Sequence, residues 1–190
     1  MTSKQQMLSP DLNSLQFSTR FLNTADILQL AEFCIICNDF FELVEKQTAS
    51  ENTAREILQA RPSAVPPDNK IVLGFETDKQ LVAVVELLRD YPQQNTWFVG
   101  LLLLLPEYRC SGYGTQLWQA IEKWIGEAGA TEVKLIVQEQ NPRARLFWER
   151  MGFSFEASVT QVLLNGENRV ARLRKTLTLA LAIIFLSFMR

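Results

Sequence analysis

Between a long apolar run and an amphipathic stretch stands PEYRCSGYGTQLW, residues 106–118, with Arg109, Gly112 and Gly114 at the joint. A strand meeting a helix does not need glycines there, and glycine weakens a helix start relative to alanine. Their use is to let something approach the main chain. A turn of this kind aims several backbone N–H groups into one concavity, where the helix dipole adds partial positive charge. The ligand that suits it is compact and anionic, a phosphate group above all. The spacing is R-x-x-G-x-G. No Lys-Ser/Thr pair follows, so it is not a P-loop, and it is not the G-x-G-x-x-G of a dinucleotide-binding turn. Taken alone, the hexapeptide reads equally well as a plain turn with a helix cap.

Other groups capable of chemistry are few. The 190 residues contain no histidine. That removes the commonest general base and metal ligand, excludes Ser-His-Asp and Cys-His mechanisms, and leads us to expect no metal. Cys34 and Cys37 form a C-x-x-C, but inside the helical pattern DILQLAEFCIICNDFFELV and without a second pair. They read as buried, inert helix residues. Glu86 interrupts LVAVVELLRD among apolar neighbours. Desolvation there raises a carboxyl pKa toward useful values, which makes Glu86 the first candidate for a general base. The plainer alternative is a carboxylate on an open face or paired with an arginine. Asp90, near the strand end, is the runner-up.

These residues need elements to position them. SLQFSTRF (14–21) alternates like a half-buried strand. Thr24 can cap a helix from about Ala25 to Glu45, and Ser50 a shorter one over ENTAREILQA. Pro62, Pro66 and Pro67 then break regular structure. KIVLGFE (70–76) and LVAVVELLRD (81–90) read as a hairpin across TDKQ. TWFVGLLLLLP (96–106) has no polar alternation, so it should be a central strand buried on both faces. The next helix places Leu117, Ile121, Trp124, Ile125 and Ala128 on one face and ends at Gly129. EVKLIVQ (132–138) follows as a strand, which implies a parallel pair with a right-handed crossover. A short helix begins near Asn141-Pro142. Two last strands flank Asn165-Gly166, a strong hairpin signal. The expected fold is α/β (α+β): a mixed, largely antiparallel sheet, hairpins at both ends, and one βαβ unit in the middle.

Two segments together resemble a known family. LLLLLPEYRCSGYGTQL offers strand, Pro-x-x-Arg-x-x-Gly-x-Gly and helix in order. NPRARLFWERMGF offers Asn141, Ala144, the aromatic pair Phe147-Trp148 and Gly152-Phe153. Their content and separation are similar to those of the GNAT superfamily, the Gcn5-related N-acetyltransferases, most specifically over residues 97–153. The resemblance implies acetyl-CoA as acyl donor and a primary amine as acceptor. It also implies that N–H groups of Arg109, Cys110, Ser111, Gly112, Tyr113, Gly114 and Thr115 cradle the diphosphate. Unpaired backbone at Leu104 and Leu105 would pair with the pantetheine arm, and Asn141 would touch that arm or hold its helix. Family members commonly use a tyrosine in the later motif to protonate the leaving thiolate. Here Trp148 stands in its place, and an indole N–H is a donor but no usable acid. None of Tyr91, Tyr108 and Tyr113 falls at the matching position. The alternative to an acetyltransferase is therefore a weak or inactive module that binds acyl-CoA.

Composition narrows the classes further. Apolar residues make up 47% and charged residues 21%, with a formal net charge of −2. That is a globular balance with no basic stripe, which argues against nucleic acid as a partner. The amine acceptor that the resemblance implies is expected to be a small molecule or a peptide. We expect a loose tail over residues 1–13, one domain over 14–177 and an apolar extension over 178–190. The N-terminus has no signal-peptide core, so a cytoplasmic location fits best. LTLALAIIFLSFM (177–189) carries no charge. As a helix it would span about 20 Å, short of a roughly 30 Å hydrocarbon core. A continued strand, a packed helix, a dimer contact or a weak peripheral membrane contact are its readings.

Overall fold

A computed structural model describes residues 17–163 and 166–177. Seven strands form one sheet: β1 (Ser18–Phe21), β2 (Lys70–Thr77), β3 (Gln80–Arg89), β4 (Thr96–Leu104), β5 (Glu132–Gln138), β6 (Ser154–Leu163) and β7 (Gly166–Thr176). Their spatial order is β1-β2-β3-β4-β5-β7-β6. Every neighbouring pair is antiparallel except β4 and β5, which run parallel. The helices are α1 (Ile27–Ile36), α2 (Asn38–Glu45), α3 (Glu51–Gln59), α4 (Tyr113–Glu127) and α5 (Pro142–Arg150). The expected mixed sheet and its central βαβ unit, β4-α4-β5, are both present. The expected 1–13 tail and 178–190 extension lie outside the described residues, as does the turn at Asn165. Among the described residues, no helix is long and apolar enough to cross a membrane.

The N-terminal helical region differs from expectation in two places. Asn23, not Thr24, caps it: its Oδ1 accepts from the Ala25 N–H, and the Asp26 carboxylate accepts from the Asn23 N–H. The acid three residues on closes a capping box that Thr24 lacks. The single helix expected over 25–45 is two, with a kink at Cys37. There the Cys37 thiol donates to the Leu104 carbonyl at 3.5 Å, and Asn38 Oδ1 accepts from the Ala49 N–H at 2.7 Å. Both partners are distant in sequence, so helical periodicity runs through the kink without revealing it.

The core follows the apolar patterns. β3 is buried from Leu81 to Val85 and again at Leu87 and Leu88. On α4 the buried face is Leu117, Trp118, Ile121 and Ile125. Trp118, rather than the expected Trp124, is fully enclosed, and Ala128 is exposed because the helix has ended. Gly129 terminates it at φ +93°, a left-handed conformation that favours glycine. β4 occupies the middle of the sheet as expected, yet Gly100 is exposed and Leu101 and Leu102 are only half-buried. The reason is the departure of β4 from β5.

Candidate active site

β4 and β5 pair only from Thr96–Glu132 to Val99–Leu135. At that level the ladder between β3 and β4 slips: Glu86 faces Leu101 and Leu87 faces Val99, which leaves Gly100 as an extra residue. A bulge bends its strand, and here the bend coincides with the end of the β4–β5 pairing. Beyond it the strands diverge into a cleft. Leu101 and Leu102 line one wall, Ile136 and Gln138 the other, with Phe40 of α2 and Trp148 of α5 closing it. Gly100 was not singled out in the sequence, although a glycine inside a strand is the ordinary signal of a bulge.

The glycine turn lies at the C-terminal end of β4. Pro106–Tyr108 form one turn of 3-10 helix, Cys110 takes φ +60°, and Gly112 takes φ +89° as the N-cap of α4. The first N–H groups of an α-helix have no intrahelical acceptor. Among the described residues no backbone acceptor takes the N–H of Cys110, Ser111, Gly112, Tyr113 or Gly114. The two ends of the predicted cradle are engaged internally: the Arg109 N–H bonds Pro106 O and the Thr115 N–H bonds Gly112 O. The open set is therefore Cys110 to Gly114. Space in front of it is also open. A Cβ on Gly112 would come no nearer than 3.9 Å to Gln116, and one on Gly114 would only touch Phe147 at 3.5 Å. The fold itself does not fill this cradle, and it fits a diphosphate.

Leu104 and Leu105 divide. The Leu105 N–H bonds Val82 O and its carbonyl accepts from Tyr108. Both backbone groups of Leu105 are thus engaged within the chain, which leaves Leu104 the better placed of the two for a pantetheine contact. The Leu104 carbonyl faces away from β3, taking the Arg109 Nε–H at 2.8 Å and the Cys37 thiol. Because N–H and C=O of one strand residue point the same way, its N–H also faces the cleft side. Asn141 lines the cleft and caps α5, its Oδ1 accepting from the Ala144 N–H at 3.1 Å.

Arg109 does not turn its side chain outward. Besides Leu104 O, it donates through Nη1 to Asp39 in the first turn of α2. Its charge also faces Cys37. Burial pushes the Cys37 thiol up to about 11 despite Arg109, and burial likewise pushes Cys34 up to about 12. Both cysteines are fully buried thiols at neutral pH, and Cys110 is exposed.

Glu86 sits against the bulge. A Cβ on Gly100 would lie 2.9 Å from its carboxylate. Its partner is not an arginine but Lys70, whose Nζ approaches Oε1 at 2.7 Å while also donating to Ala60 O. Lys70 is almost wholly buried, at 4% exposure. Burial raises the Glu86 pKa, opposed by the charge and hydrogen bond of Lys70. Asp90 is elsewhere. It closes the β3–β4 hairpin, its Oδ1 accepting from the Asn95 N–H at 2.8 Å, and it flanks Arg89. That occupation, at the end of β4 opposite the glycine turn, removes it as a base. Trp148 is held edge-on by Trp118 at 4.9 Å and Phe153 at 5.1 Å. Tyr108 and Tyr113 pack with Phe17 beside the turn, and Tyr91 packs on Phe98.

Known proteins resemble this chain in sequence and in fold. Residues 34–153 match the model of the family described as the acetyltransferase (GNAT) family. N-alpha-acetyltransferase 30 of Schizosaccharomyces pombe is 30% identical over 133 residues, which span 67% of this chain and 84% of that protein. Among solved structures, an acetyltransferase from Thermus thermophilus superposes with a TM-score of 0.69 at 16% identity, over 85% of this chain and 97% of that one. The ribosomal-protein-S18-alanine N-acetyltransferase from Escherichia coli gives 0.61 at 13%, over 89% and 99%. Spermidine N-acetyltransferase from Vibrio cholerae, in complex with CoA and spermine, gives 0.65 at 18%, over 85% and 96%. At such identities the structures speak for the fold alone.

Proposed function

Because this chain belongs to the GNAT family of acetyltransferases, we propose that it carries an acetyl group from acetyl-CoA to a primary amine, first of all the α-amino group of a polypeptide. The observation that carries this is the row of unbonded amides from Cys110 to Gly114 at the end of a splayed strand pair. Those amides and the start of α4 hold the diphosphate. The Leu104 backbone and the apolar walls, Leu101 and Trp148 among them, take the pantetheine arm. Resemblance to N-alpha-acetyltransferase 30 supports the α-amine.

In the reaction the neutral amine nitrogen bonds to the thioester carbon, the carbon–sulfur bond breaks, and the sulfur leaves with the electron pair. Glu86 receives the ammonium proton, directly or through water, from its place against Gly100. Trp148 supplies no proton, so the thiolate is protonated by solvent. Thiol release should be followed with free-amine peptides, the same peptides N-blocked but carrying lysine, and spermidine. Turnover is expected on the free α-amines, and Glu86→Gln should lower kcat about 100-fold, within the range of general-base effects, without weakening CoA binding. Tight CoA binding with no turnover on any amine would instead make the chain a binding module, and absence of CoA binding would refute the donor site.

A further inference from the structure

We propose that Asp39 is a positioning residue for the donor, acting through Arg109. This inference rests on the donor reading above. Arg109 is the residue at which the turn begins, and its guanidinium joins three elements. Nε–H holds the Leu104 carbonyl at the end of β4. Nη1 holds Asp39 in the first turn of α2. Its charge lies against Cys37 at the kink between α1 and α2.

The residue directly after Arg109 explains why such a tie is needed. Cys110 stands at φ +60°, and Gly112 two residues on at φ +89°. A side-chain-bearing residue in the left-handed region persists only where its surroundings over-determine it. The 3-10 turn before it and the cap after it fix the ends, and Arg109 is the side chain that fastens the start of the turn to the body of the protein. Without Asp39, the guanidinium keeps Leu104 O and Cys37 but loses its carboxylate partner on α2, and the amides of Cys110 and Ser111 lose their fixed aim. A donor that binds by several amides at once depends on their being aligned beforehand.

Asp39 also couples the two sides of the cleft. Its neighbour Phe40 lines the cleft beneath the diverging strands. One carboxylate therefore registers the diphosphate turn against the helix whose Phe40 closes the cleft. Asp39 itself is 61% exposed, so replacing it opens no cavity in the core, and the guanidinium it leaves behind keeps its bond to Leu104 O.

The test is calorimetric titration of CoA into the full chain and into Asp39→Ala, Asp39→Asn and Asp39→Glu, together with steady-state kinetics in acetyl-CoA. Asp39→Ala and Asp39→Asn should raise the Kd for CoA three- to tenfold, with the loss appearing in the KM for acetyl-CoA rather than in kcat. Asp39→Glu should restore binding to within about twofold of the parent. In an Arg109→Ala background, Asp39→Ala should cause no further loss. Unchanged affinity in Asp39→Ala would overturn the inference while leaving the donor reading intact. Tighter binding would overturn it too, since Asp39 would then be competing with the diphosphate for Arg109. Failure of the unaltered chain to bind CoA would remove the donor reading and this inference together.

Discussion

Glu86 and Lys70 show what a single pair decides. Burial against the bulge raises the Glu86 pKa, and the charge and hydrogen bond of Lys70 oppose that rise. Removing the cation removes what favours the charged form. In Lys70→Met the ascending limb of the kcat/KM profile should therefore move to higher pH, and the profile measured from pH 5 to 10 checks it. The stability effect follows the same sign. A carboxyl whose folded pKa lies above its unfolded value favours folding at low pH and loses that contribution as pH rises through the folded pKa. Lys70→Met raises the folded value further, so its destabilisation should grow with pH, to about 3 kcal/mol where Glu86 is ionised and unpaired. Thermal unfolding at pH 5 and pH 9 measures the difference. Glu86 was legible as a buried acid because apolar neighbours surround it in the sequence. Lys70 was not, since it pairs across strands with a residue sixteen positions away, and a lysine at the start of a strand carries no mark of burial.

At the level of elements, the bulge in β4 sets the geometry of the cleft. Gly100 leaves room for the Glu86 carboxylate, which a methyl group would meet at 2.9 Å. That carboxylate ends a flexible chain and can give way, though only by leaving the place where Lys70 holds it. Gly100→Ala should therefore cost only about 1 kcal/mol in stability, at the low end of overpacking, while lowering kcat nearly as far as Glu86→Gln. Urea denaturation alongside turnover separates the two effects. The strands and helices themselves were readable, because the periods of 2 and 3.6 and the capping residues are local properties. Ser50 capping Glu51–Gln59 and Asn141 capping Pro142–Arg150 are examples. The kink at Cys37 and the engagement of Leu105 with Val82 were not readable, since each depends on a partner brought near by the fold. Most of the candidate site could be found from its glycines, but the internal ties of Arg109, to a residue 70 positions away, could not.

Across the whole molecule, protection should be uneven. β2 and β3 are enclosed along most of their length, and β6 is an edge strand paired only with β7 among the described residues. Backbone groups open to solvent exchange by small local fluctuations, whereas those at the centre wait for global opening. Hydrogen exchange followed by mass spectrometry should find residues 81–88 slowest and residues 154–160 the fastest stretch of strand. Adding CoA should slow exchange over residues 110–114, which the structure leaves without backbone acceptors. Exchange there unaffected by saturating CoA would contradict the donor site independently of any kinetics.

Among the described residues, the ladder that joins one half of the sheet, β1 to β4, to the other, β5 with β7 and β6, is only four residue pairs long. So short a seam makes the gap above it more than a receptacle. A ligand lodged there meets walls from both halves, Leu101 on one side and Ile136 on the other, so occupancy and cohesion should rise together, by the amount that mass action dictates.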